Sequence, residues 1–155
     1  MGIKENIEAL RKELPNHVKL VAVSKTKPVE AVQEAFDAGQ RHFGENKAQE
    51  MIAKQPELPG DIRWHFIGHL QRNKVKYLAP FVAMIESVDS LRLLREINKE
   101  AVKNDRIIPV LLQFHIASEE TKFGLDLDEA RQMLENEQYP ELKNVRIDGV
   151  MGMEI

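Results

Sequence analysis

The chain has 155 residues, enough for one domain with a real core and too few for two of ordinary size. Hydrophobic residues make up 43% and charged residues 30%, which excludes a disordered or fibrous class, and a net charge of −3 with basic residues spread along the chain removes the electrostatic motive for non-specific nucleic-acid binding. No apolar run reaches the roughly 18 to 20 residues that span a bilayer, the N-terminal stretch is charged rather than signal-like, and the lack of cysteine excludes disulfides and thiolate metal sites. The expectation is a cytoplasmic protein with no nucleic-acid or membrane partner.

Ile3, Ile7, Leu10 and Leu14 recur at helical spacing, and Pro15 ends that helix. A first strand follows at 19–24 (KLVAVS). Pro28 suits the first turn of a helix whose face carries Val29, Val32, Ala35 and Phe36, with Gly39 as the breaker. Strands are expected at 41–44 (RHFG), 63–68 (RWHFIG) and 83–88 (AMIESV). Asp89 or Ser90 caps a helix with Leu91, Leu94, Ile97, Ala101 and Val102 on one side. A fifth strand covers 109–117, Asp126 and Glu129 form a capping box ahead of Ala130, Met133 and Leu134, and 145–151 is the sixth strand.

Alternating strands and helices with nearly continuous apolar strands mean parallel pairing, so the class is α/β. Successive strand starts lie 20 to 36 residues apart, and the dinucleotide signature G-x-G-x-x-G is absent after the first strand, which favours a (β/α) TIM-type barrel over a nucleotide-binding open sheet. Such a barrel needs eight strands and about 250 residues. Six of the eight βα units are expected here, as a single barrel domain over 1–155 that is incomplete at its C-terminus.

In parallel α/β folds chemistry gathers at the C-terminal ends of strands. Lys25 stands at the mouth of LVAVSK, where partial desolvation would favour the neutral amine that attacks an aldehyde, with the like charge of Lys27 two residues on. A lysine that merely ends a strand in water is the plainer alternative. Gly44-Glu45-Asn46 supplies either a ligand amide or a strand end with a helix cap. His65 reads as a hydrogen-bonded core or interface histidine, no histidine pair has metal-ligand spacing, and no metal is assigned. The polar stretch 118–124, which contains Lys122, reads as a solvated loop.

Together VAVSKTKP (21–28), GQRHFGENKAQE (39–50), WHFIGHLQRNK (64–74), IESVDS (85–90) and EETKFG (119–124) resemble the pyridoxal phosphate homeostasis proteins, the YggS/PROSC family. The resemblance runs over nearly the whole chain. It implies a barrel like the N-terminal part of alanine racemase, which binds pyridoxal 5'-phosphate (PLP) and carries or buffers it with no established catalysis. By motif, Lys25 is the PLP aldimine lysine and Asn46 lines the cofactor side. Lys27, Lys74 and Lys122 are neighbouring lysines that help exchange or relay the cofactor. The recipients would be PLP-dependent enzymes, and the protein would be a monomer. The family's later glycine-rich phosphate cradle, with its serine and arginine, has no counterpart in this sequence.

The competing reading is a PLP-dependent racemase of the alanine-racemase fold. Racemisation needs a second base, normally a tyrosine from a partner's β-domain, and the chain offers only Tyr77 and Tyr139, in helix or loop. A third reading is a bare interaction fragment.

Overall fold

The computed structural model describes residues 2–116 and 124–153. Among them six α-helices and six strands alternate: α1 Ile3–Glu13, β1 Ala22–Val23, α2 Val29–Asp37, β2 His42–Glu45, α3 Ala48–Lys54, β3 Arg63–Phe66, α4 Val75–Leu78, β4 Met84–Val88, α5 Leu91–Lys103, β5 Ile108–Phe114, α6 Leu127–Glu135 and β6 Val145–Gly152. All five pairings are parallel, and strand order in the sheet equals order in the chain. A doubly wound sheet would reverse direction at a switch point. This sheet never does, which is the winding of a (β/α) barrel.

Register divides the side chains of the first strands into two rows. Phe43 pairs beside Trp64 and Phe66 beside Ile85, and these large apolar groups are buried with Met51, Leu78, Leu94 and Ile97 from α3, α4 and α5. The opposite row carries His42, Gly44, Arg63, His65 and Met84. Apolar contact with the helices therefore dominates one face, broken by Glu45 at the end of β2, and the other face carries a polar row.

The helix starts follow local rules. The Ser90 hydroxyl accepts from the Leu93 N–H at 3.1 Å, which decides between the two expected caps of α5, and Asp126 with Glu129 completes the capping box of α6. Pro28 is the cap of α2 rather than part of its first turn, and Gly39 ends that helix at φ +101°, a conformation open to glycine. Arg106 donates to the Ala79 and Val82 carbonyls at 2.5 and 2.7 Å, tying the end of α4 to the segment that enters β5.

Three strands differ from expectation, the fifth because it spans Ile108–Phe114 and stops short of 117. The first ladder is only two residues long, because the Gln40 side-chain amide, itself buried, takes the Leu20 and His42 carbonyls at 2.7 and 2.8 Å just below it. The third strand ends at Phe66 rather than 68. No helix among the described residues is long and apolar enough to cross a membrane.

Candidate functional site

Immediately after β1 the chain turns. The Ser24 N–H donates to the Gly44 carbonyl at 2.9 Å, continuing the ladder by one bond, and the Lys27 N–H returns to the Ser24 carbonyl at 3.1 Å. Residues 24–27 thus form a four-residue turn with Lys25 at its second position. Thr26 at the third position has φ +62°, the left-handed region that a β-branched residue enters only under constraint.

The constraint comes from α3. Glu50 and Lys54, four residues apart, share a helix face. Glu50 Oε2 accepts the Thr26 N–H at 2.6 Å. Lys54 Nζ donates to the Ser24 carbonyl at 2.7 Å and to Glu45 Oε2 and Glu50 Oε2, both at 2.8 Å. The Ser24 hydroxyl donates to Glu45 Oε2 at 2.5 Å. Lys54 is 6% exposed and Glu45 is fully buried, with Oε1 lacking a partner among the described residues. Burial pulls the Lys54 ammonium down, but the hydrogen bonds to Glu45 and Glu50 outweigh it and leave its pKa above the ordinary lysine value. The Lys54 hydrogen bond holds Glu50 below the usual carboxylate range against a smaller opposing effect of burial.

A second polar chain crosses the opposite row. Glu86 Oε2 lies 2.5 Å from His65 Nδ1, and His65 Nε2 lies 2.9 Å from His42 Nδ1. With Glu86 ionised and both rings neutral, His65 donates to Glu86 and accepts from His42. Burial first, then electrostatic repulsion from the His65 ring and from the charges of Lys19 and Arg63, lower the His42 pKa to about 4. Of the two readings of His65, core or interface, the structure shows the first, with the ring buried and bonded.

Beyond the end of β2, Asn46, Lys47, Gln49, His69, Gln71 and Lys74 are among the residues lining a cleft of about 300 Å³. Asn46 does not cap α3: the cap position is Lys47, which makes no side-chain cap bond. Asn46 packs instead on Gly68, where an added Cβ would lie 2.2 Å from the Asn46 carbonyl oxygen. Lys74 sits half-buried in the same cleft.

Lys25 and Lys27 are both exposed. The partial desolvation expected of Lys25 is therefore absent, because the chain leaves the sheet at Ser24 and carries the following side chains outward. Lys122 lies outside the described residues. Sequence reasoning missed Glu45, Glu50 and Lys54 as a unit. The i, i+4 pairing of Glu50 with Lys54 was its one visible signal.

The donor set fits the aldehyde end of PLP, since an accessible primary amine stands on a fixed turn at a strand end. For the phosphate, the described rim offers side-chain donors in the Asn46 and Lys74 cleft and no glycine-rich cradle.

The model of the alanine racemase N-terminal domain matches residues 2–154. A pyridoxal phosphate homeostasis protein of Aquifex aeolicus is 41% identical over 138 residues, covering 88% of this chain and 59% of that protein. The chain thus spans about three fifths of the length of such curated relatives. Among solved structures, PipY of Synechococcus elongatus PCC7942 is 40% identical, both without PLP (TM-score 0.90, covering 98% of this chain and 71% of PipY) and with PLP bound (TM-score 0.89, 98% and 70%). An alanine racemase of Clostridium difficile 630 matches 99% of this chain and 40% of its own at TM-score 0.77 and 14% identity, a likeness of fold alone. The chain belongs to the family of the alanine racemase N-terminal domain, and its near relatives there are pyridoxal phosphate homeostasis proteins.

Proposed function

We propose that this chain holds pyridoxal phosphate through Lys25 and serves as a carrier or buffer of the cofactor rather than as a racemase. The observation that carries the reading is an exposed amine on a turn fixed by hydrogen bonds from α3 at the end of β1. PLP, when bound, supplies an aldehyde that condenses with a primary amine with loss of water. Asn46 offers an amide beside that position, past the end of the neighbouring strand, and Lys27, Lys74 and Lys122 are the lysines assigned to exchange. The naming of the Aquifex relative and the PLP bound to PipY support the assignment. Recipients are PLP-dependent enzymes, the working form is a monomer, and the compartment is the cytoplasm.

The racemase alternative is disfavoured by the naming of the near relatives as homeostasis proteins. Tyr77 is 49% exposed on α4 with Lys74 and Lys76 near its ring, and Tyr139 packs at the margin of the core. The test is to incubate the protein with PLP, reduce with borohydride and map the label. Wild type should carry it on Lys25, and Lys25→Ala should lose it. A label found elsewhere in most molecules overturns the assignment.

A further inference from the structure

The turn bears two exposed lysines, Lys25 and Lys27, of the same chemistry and two residues apart. An aldehyde free to choose would react with both. What distinguishes them is the backbone between them, held from beneath at two points by one buried ammonium: directly at the Ser24 carbonyl, and through Glu50 at the Thr26 N–H. Lys25 lies between these anchors and Lys27 lies outside them. Removal of the anchors would leave Thr26 with a left-handed φ and little to hold it there.

We propose that Lys54 is a positioning residue whose clamp on residues 24–26 makes Lys25, and not Lys27, the amine that takes the aldehyde. This rests on the PLP-binding reading above. Lys54 does not react itself, since its ammonium is buried and its donors are spent on Ser24, Glu45 and Glu50. In the step it controls, the lone pair of the neutral Lys25 amine forms the new C–N bond at the aldehyde carbon. The carbonyl oxygen then departs as water, taking both amine protons.

The experiment reads the ratio of label on Lys25 to label on Lys27 after PLP and borohydride, by peptide mass spectrometry, with circular dichroism confirming the fold of each variant. Wild type should favour Lys25 by tenfold or more. Lys54→Met should bring the ratio near one, and Lys54→Arg should restore part of the preference. Glu50→Ala removes one anchor at a side chain that is 22% exposed, so it decides the matter if Lys54→Met does not fold; it should lower the preference several-fold. An unchanged ratio in folded Glu50→Ala or Lys54→Met overturns the clamp while leaving Lys25 as the binding lysine. A wild-type protein with no label on Lys25 overturns the PLP-binding reading instead.

Discussion

At the ends of β1 and β2 one lysine ammonium is shared by two carboxylates, whereas across β2, β3 and β4 two imidazole rings and one carboxylate stand in line. Both networks are largely buried, yet they manage charge differently. The first keeps its charges, with Lys54 shifted up and Glu50 shifted down, so neither titrates near neutral pH. The second keeps His42 neutral because burial and the positive charges around it disfavour the imidazolium, and mild acid strains it. A turn that must hold one shape is braced by the charged network, and the pH-sensitive one sits away from it.

The largest effect should follow from breaking the charged network. Lys54→Met leaves Glu45 fully buried without its countercharge, and removal of one partner from a buried pair costs about 3–5 kcal/mol. Urea unfolding should show a loss of that order. In the second network His65→Phe leaves Glu86, which is 15% exposed and can still reach water, so the cost should be about 1–3 kcal/mol. If the His65 variant proves the less stable of the two, the ranking of the networks is reversed.

A smaller effect separates them by pH. The folded His42 pKa of about 4 lies below its unfolded value near 6.5, so between those values the unfolded chain takes up a proton that the folded chain refuses. Stability contributed by neutral His42 is whole above pH 6.5 and is lost as pH falls toward 4. Wild-type Tm should therefore drop a few degrees more than that of His42→Gln between pH 7 and 4.5. Parallel melting curves would show that His42 is not the group responsible.

What could be read from the sequence was local. Ser90 and Asp126 announce their helices because a capping oxygen and the N–H it serves lie three residues apart. Six strands were visible as apolar runs, and WHFIG already marked His65 as a core or interface residue. Its partners were not legible, since Glu86 and His42 reach it only through pairing of three strands. Lys54 was hidden for a different reason: in AQEMIAK it looks like any solvated helix lysine, and lysines are almost never fully buried unless paired. The short β1 was missed because the amide of Gln40 replaces ladder bonds, which no apolar pattern records.

Because strand order follows chain order, each ladder joins segments a few tens of residues apart, and loop-closure entropy differs among them by only about 0.5 kcal/mol. The ladders themselves differ far more: β5 and β6 align at seven residue pairs, β1 and β2 at two. Amide protons should accordingly exchange slowest at the β5–β6 seam and fastest along β1, where main-chain pairing is thinnest. The Lys25 turn grows out of that thin seam, so its protection from exchange measures side-chain bracing almost alone, and the Thr26 amide is the place to measure it.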